Sequence, residues 1–454
     1  MDADAPAGSA ERELLVELYD AAVAAAAPGP VTARAVDALS IDRASRVWVF
    51  AFGKAAVPMA SAAVTSLLRS LHAIVGGVVV TSDAAPAPYP TLATLRGDHP
   101  IPGRNSFTAA AKIAEVTPGR RGNDVAVVLI SGGTSSLIGA PLRGMNESDL
   151  TALYELLLGS GLAIADMNAV RKRFSRWAAG RLALALAPAA THCLAISDVA
   201  GDDLSVIGSG PCVPDNTTVA DVTSILERAK LMSKIPQTHR DYLAAVARGT
   251  IPETPTKTHP AFAHVTARVI SNTRSALDGA AARARKSGFS VDVVDARLTG
   301  SAAQCGESIA RALLAECRDD GGERTPRDDQ TRCIIWGGET TVALGSGSAK
   351  PSGGGRCQEL ALAAARVLHE AGEKAAGVTL LAAGTDGRDG MTDASGAVVD
   401  NTTWNAIAAA GRDPAQALAA HETNGALRMA NALLPRRDTG TNVNDVVIGV
   451  VRRT

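Results

Sequence analysis

Short runs rich in Val, Ile and Phe alternate along this chain with longer Ala- and Leu-rich segments, and a glycine cluster follows one run after another. That punctuation constrains the fold more than any other feature. The strand-like runs are Arg46–Phe52, Ile74–Thr81, Asp124–Ser131 and His192–Ser197. Between them, helical patterns cover Ala55–Leu71, Ser106–Val116, Ser148–Gly159 and Asn168–Leu186. Continuous apolar strands suit a sheet covered on both faces. Strand–helix–strand alternation then argues for an α/β layered fold with parallel strands.

The 454 residues exceed one typical domain about threefold, so two domains are expected. A composition shift follows Pro236, and the Pro- and Thr-rich stretch Gly249–His264 reads as a linker. A second α/β block then runs through strand Val265–Ile270, helix Arg274–Lys286, strand Phe289–Asp295 and helix Ala303–Cys317. Strands Cys333–Trp336, Thr340–Leu344 and Val378–Ala383 complete it, and the charged run Arg318–Arg332 reads as a solvated loop. The expected division is 1–236 and 237–423, with the C-terminal segment 424–454 a candidate to complete the first domain.

Net charge excludes one broad class of function. Lys plus Arg (45) nearly cancels Asp plus Glu (46), so no general attraction draws the chain to nucleic acid or an anionic membrane. Any bound anion needs a local site. The six cysteines form no CxxC pair, which favours free thiols in a reducing cytoplasm. No window supplies the roughly 18 uninterrupted apolar residues of a membrane helix.

The glycine clusters supply such local sites. Gly53-Lys54 follows the first strand run, where glycine permits a sharp turn and Lys54 can reach a phosphate, with an ordinary surface lysine beside a turn glycine as the alternative. The spacing is not that of a Walker loop. Ser131-Gly132-Gly133-Thr134-Ser135-Ser136 follows the third run as a candidate phosphate or carboxylate cradle, with an ordinary helix cap the equal alternative. Asp198, at the end of the fourth run, is a candidate ligand or base, with Asp202 and Asp203 nearby. Hard cations such as Mg²⁺ take one or two carboxylates plus substrate phosphate oxygens.

In the second block, Gly337-Gly338-Glu339 precedes Gly353-Gly354-Gly355-Arg356, where Arg356 offers a planar fork of donors at a helix start. Asp386 and Asp389 sit in a glycine-rich loop suited to ion binding. Anion cradles, Lys54, Arg356 and strand-end carboxylates together are the parts of phosphoryl transfer.

These motifs resemble those of the glycerate 2-kinases that carry a MOFRL domain. The similar segments run in order from FGKAA at Phe52 through HPIP (His99–Pro102), LISGGTSSL (Leu129–Leu137), MNAVRKRFS (Met167–Ser175) and ISDVAGDDLSVIGSGP (Ile196–Pro211). They continue through GGETTVAL (Gly337–Leu344), GGGRCQELAL (Gly353–Leu362) and GTDGRDGMTDASGA (Gly384–Ala397) to TGTNVND ending at Asp445. The resemblance implies a Rossmann-like N-terminal domain plus a smaller α/β MOFRL-type domain, with the active site in the cleft between them. It implies ATP- and Mg²⁺-dependent phosphorylation of D-glycerate to 2-phosphoglycerate, with Lys54 and Arg356 functional.

On that expectation Lys54, Arg356 and Asp198 are catalytic. Gly53, Ser131, Gly132, Gly133, Thr134, Ser135, Gly354, Gly355 and Glu339 bind the nucleotide, and Asp198, Asp386 and Asp389 hold the metal. The partners are ATP and the small acid, with no nucleic acid or membrane and a homodimer left open. Three departures from the family pattern bear on the acceptor: Gly103 stands where Asp is usual, Ala178-Ala179-Gly180 where Lys-Gly-Gly is common, and Cys357 where Asn is usual. The alternatives are a kinase for a related hydroxy acid, a hydroxypyruvate reductase and a non-catalytic binder of anionic metabolites. The reductase lacks a GxGxxG spacing around Phe50–Ala56.

Overall fold

A computed structural model describes residues 8–317, 331–342 and 353–452. The chain divides into two compact units: Pro28–Ser271, and a second made of the residues up to Ala27 together with those from Asn272 onward.

The first unit is built on six parallel strands: β1 (Arg46–Phe52), β2 (Ala73–Thr81), β3 (Leu92–Arg96), β4 (Asp124–Ile130), β5 (Ala190–Ile196) and β6 (Val265–Ser271). Their order is β3-β2-β1-β4-β5-β6, the doubly wound order of dinucleotide-binding folds. Register follows charge as well as hydrophobicity. Arg46 and Asp124 are direct partners at the starts of β1 and β4, joined by two bonds of 2.8 Å. Phe50, Phe52, Val78, Val80, Val128 and Ile113 form part of the core under one face. A satellite core of Leu150, Leu153, Tyr154, Val170 and Phe174 lies among the helices that follow β4.

The second unit holds β7 (Ser290–Val293), β8 (Arg332–Gly338), β9 (Val378–Gly384), β10 (Ala394–Asp400), β11 (Leu433–Pro435) and β12 (Asp445–Val451). The order is β11-β10-β9-β12-β8-β7. Among these described strands, only β7 and β8 pair in parallel; the other pairs are antiparallel. Helices Ala302–Glu316 and Arg356–Glu370 pack on one another and build this unit's core with Trp336, Leu380 and Val447. Helices Gly8–Ala25 and Thr273–Lys286 form a second close pair. Gly279 makes it possible, since a Cβ there would lie 2.3 Å from that of Ala25.

Several expectations change. The boundary at 236/237 falls inside the first unit, because the strand expected to open the second block is β6 and pairs with β5. The C-terminal segment does not complete the first sheet; β12 lies between β8 and β9, which its unbroken apolar sequence suits. The helix expected over Asn168–Leu186 is two helices, Ile164–Phe174 and Arg181–Leu186, separated by left-handed Ala179 and Gly180. Thr340–Leu344 is not a strand among its described residues; Thr341 makes one isolated bridge to Ser301, and residues 343 and 344 lie outside the described residues. Most of the charged run, residues 318–330, lies outside them too.

By length and composition the span Ala10–Asp37 is apolar enough to cross a membrane. In the fold it is two helices, Gly8–Ala25 and Pro28–Asp37, assigned to different units. Leu15, Leu18 and Tyr19 are fully buried in protein. Core packing accounts for their hydropathy.

Candidate active site

In a doubly wound sheet, ligands bind where the strand order reverses, outside the carboxyl ends of the strands. Here that point lies between β1 and β4, whose last residues Phe52 and Ile130 are register partners. Hydrogen bonds fasten the two following turns together. Lys54 N donates to Gly132 O at 2.9 Å, Ala55 N to Ser131 Oγ at 3.0 Å, and Ser131 N to Phe52 O at 3.0 Å. Gly53 sits at φ +119°, and a Cβ there would meet Ser131 Oγ at 2.2 Å and Ser131 O at 2.6 Å, so the junction requires glycine. The Lys54 side chain is exposed and has no ion pair among the described residues.

The Ser131–Ser136 loop has some polar groups engaged within the fold and others without a partner among the described residues. The Thr134 hydroxyl is engaged with Phe52 O and Ser131 O, and Ser135 Oγ pairs with Ser209 Oγ at 2.8 Å. The backbone N–H groups of Gly132 and Gly133 carry no hydrogen bond among the described residues. Successive free N–H groups of this kind form an anion-binding nest.

Two side chains lie against the loop. A Cβ on Gly132 would stand 2.6 Å from Asp198 Oδ2, and one on Gly133 would stand 3.2 Å from His99 Cδ2. The His99 imidazole is held below its usual pKa by partial burial and then by the charges of Lys54 and Arg171. A neutral ring beside two cations is the result.

Arg356 opens the helix Arg356–Glu370 in the second unit and is already engaged. Its Nε donates to Asp445 Oδ2 at 2.6 Å, its Nη2 to Asp445 Oδ1 at 2.9 Å, and its Nη1 to Glu339 Oε1 at 2.8 Å. Burial pushes the Asp445 carboxyl up to about 6, with Arg356 pulling it the other way. Burial also disfavours the charge on Arg356, but the Asp445 bonds outweigh it and raise the guanidinium pKa.

The N-terminus of that helix is filled by the protein's own anion. Asp389 Oδ1 accepts from Cys357 N at 3.0 Å, and Oδ2 from Gln358 N at 2.8 Å and Gln358 Nε2 at 2.9 Å. Gly355 permits the approach, since a Cβ would come 2.2 Å from the Asp389 carboxyl carbon. Asp389 is therefore a buried helix cap. Asp386 is half-buried, and Arg388 N donates to its Oδ1 at 3.0 Å. Among the described residues, no three His, Cys, Asp or Glu side chains cluster as a metal site.

Comparison with known proteins now bears on this geometry. Residues 14–244 match the family model described as DUF4147, a domain of unknown function, and residues 332–445 match the MOFRL family model. A D-glycerate 2-kinase of Thermotoga maritima is 34% identical, over 97% of this chain and 98% of its own. The chain belongs to the MOFRL-family glycerate kinases. The crystal structure of the glycerate kinase from Thermotoga maritima superposes with a TM-score of 0.84 at 33% identity, covering 97% of this chain and 99% of that one. A protein of Agrobacterium vitis with the provisional name hydroxypyruvate reductase is 36% identical over 96% of this chain and 93% of its own.

Within this family of phosphotransferases, the first unit gathers Lys54, the Gly132–Gly133 backbone and Asp198 at one switch point. The second unit gathers Arg356, Glu339, Gly355 and Asp389 around one helix start. One departure from the family pattern has a local explanation. A Cβ at Gly103 would lie 2.9 Å from Asp98 Oδ2, so a carboxylate there would face Asp98, which caps the helix Arg104–Val116 through Asn105 N at 2.8 Å. Arg181 does not supply the cation missing from Ala178-Ala179-Gly180; it donates to Lys172 O at 2.9 Å and Ser175 O at 3.0 Å, at the end of the preceding helix. The buried Cys357 thiol is pushed well above its usual pKa, by burial first.

Sequence reading missed His99 as a wall of the site and Asp445 as the partner of Arg356. Both stand in motifs it noticed, HPIP and TGTNVND, but their roles depend on contacts distant in sequence. It also missed a pocket of about 390 Å³ in the second unit that includes Leu298, Ser301, Cys305 and Trp336.

Proposed function

We propose that the chain is a D-glycerate 2-kinase, transferring the γ-phosphoryl group of ATP to the 2-hydroxyl and giving 2-phosphoglycerate and ADP. The single observation that carries this reading is Lys54 beside the N–H groups of Gly132 and Gly133, all without a partner among the described residues, at the switch point of a doubly wound sheet. In the reaction the 2-hydroxyl oxygen forms a bond to the γ-phosphorus, the bond to the β–γ bridging oxygen breaks, and ADP leaves. Lys54 balances charge on the transferring group, and the Gly132–Gly133 backbone holds phosphate oxygens. Asp198, against Gly132, takes the hydroxyl proton.

Arg356 and Glu339 belong to this reading as residues of the nucleotide half of the reaction, with Gly354 and Gly355 shaping the helix start. Mg²⁺, when bound, neutralises phosphate charge. Asp386, with no hydrogen bond to its Oδ2 among the described residues, would suit it, because Mg²⁺ takes one or two carboxylates beside substrate oxygens. Asp389 does not, since helix N–H groups occupy both its oxygens. None of the six cysteines is in a disulfide, which supports a cytoplasmic location.

The test is ADP release from ATP and Mg²⁺ with D-glycerate, run beside NADH oxidation with hydroxypyruvate. Glycerate-dependent ADP release supports the kinase; NADH oxidation without it supports the reductase.

A further inference from the structure

Three basic residues stand in a row on the helix Ile164–Phe174, and all three are buried. Two have carboxylate partners. Lys172 Nζ lies 2.8 Å from Asp215 Oδ1, and Arg173 pairs with Glu253 and donates to Thr217 O at 2.8 Å. Arg171 is different. Its side chain has no ion pair or hydrogen bond among the described residues, and its Nε and Nη2 are buried without a partner. The residue is only 7% exposed. A buried guanidinium without an anion costs several kcal/mol relative to a paired one, so retaining it calls for a partner the described residues do not supply.

The location of Arg171 says where that partner binds. Its guanidinium lies over the Tyr154 ring, 4.8 Å from the centroid, and the Tyr154 hydroxyl donates to Ser135 O at 3.1 Å. Arg171 and Lys54 both act electrostatically on His99, whose ring abuts Gly133. Arg171 thus borders the same loop as Lys54. The unpartnered edge is also informative. Nε and Nη2 form the edge with which Arg46 grips Asp124 and Arg356 grips Asp445, each as a two-point fork. A carboxylate fits that edge in both cases.

We propose that Arg171 binds the carboxylate of the acceptor acid, and so selects 2-hydroxy acids over neutral polyols. The inference rests on the kinase reading above and deepens it. Nε and Nη2 are closed to solvent without ligand, so binding shifts the guanidinium from its present seat on Tyr154. The other source of the same oxyanion chemistry is a nucleotide phosphate, and the test separates the two.

The variants Arg171→Lys and Arg171→Met are assayed for KM toward D-glycerate and toward ATP, and for discrimination between D-glycerate and its neutral amide. The expected result for Arg171→Met is a KM for glycerate raised about a hundredfold, little change in KM for ATP, and loss of preference over the amide, with Arg171→Lys intermediate. A raised KM for ATP with the preference retained assigns the side chain to a phosphate and overturns the proposal. In the wild-type protein, the Arg171 Nε–H resonance is expected to shift when D-glycerate is added without nucleotide; no shift overturns the proposal even where the variants fail to fold. If wild type releases ADP with glycerate while Arg171→Met behaves like wild type, this inference fails and the kinase reading stands.

Discussion

Arg356 holds Asp445 in a two-point fork, at 2.6 and 2.9 Å, joining the first turn of a helix to the first residue of the central strand β12. The carboxylate is almost wholly buried and the guanidinium about a third exposed. Removing the arginine leaves a buried carboxylate alone. Arg356→Ala is expected to destabilise the second unit by about 3–5 kcal/mol in denaturant unfolding, as well as lowering turnover. A variant that keeps wild-type stability while losing turnover would assign Arg356 to the reaction alone.

Asp445 also sets the sign of a pH dependence. Its carboxyl rises from the ordinary 3.8 to about 6 in the folded chain, so the folded state holds the extra proton. Its contribution to stability is complete below about pH 4 and is lost as pH rises through about 6, amounting to about 3 kcal/mol. Asp445→Asn is expected to remove that part of the pH dependence in thermal melts taken between pH 4 and 7.

His239 in the first unit acts in the opposite sense. It is fully buried against Phe174, at 4.3 Å between centroids, and burial lowers its pKa from 6.5 to about 4. The folded state keeps the ring neutral, so its stabilising contribution is complete above about pH 6.5 and is lost as pH falls toward 4. His239→Phe is expected to reduce the acid lability of the first unit, by about 3 kcal/mol at pH 4. Identical acid unfolding of variant and wild type would contradict the assignment.

Gly132 separates fold from chemistry. A methyl group there meets the end of a side chain, Asp198, whereas one on Gly53 meets the backbone of Ser131 from a left-handed position. Gly132→Ala is expected to lower kcat at least tenfold with little loss of stability, as Asp198 is displaced. Gly53→Ala is expected to destabilise the whole β1–β4 junction. Wild-type kcat for Gly132→Ala would remove Asp198 from the proposed mechanism.

Four strands of the first sheet were legible in sequence because they are short unbroken apolar runs, whereas the short, half-buried β3 was not read and β6 was assigned to the second block. Arg46–Phe52 is found with the expected bounds, and Lys54 and the Ser131 loop stand at strand ends as expected. The second sheet was less legible. Antiparallel pairing of β12 between β8 and β9 joins segments far apart in sequence, which local patterns do not report. The same limit hid the division of labour among acids and bases. Asp386 and Asp389 look alike in a glycine-rich loop, yet one caps a helix; Arg171, Lys172 and Arg173 look alike in sequence, yet two are neutralised by Asp215 and Glu253.

The most direct test of the account is phosphorus NMR of the product formed from ATP, Mg²⁺ and D-glycerate by wild type and by Lys54→Ala. The expected result is a single phosphomonoester on carbon 2 from wild type, and a rate at least about a hundredfold lower from a folded Lys54→Ala. A product phosphorylated on carbon 3, or wild-type turnover from Lys54→Ala, would contradict it.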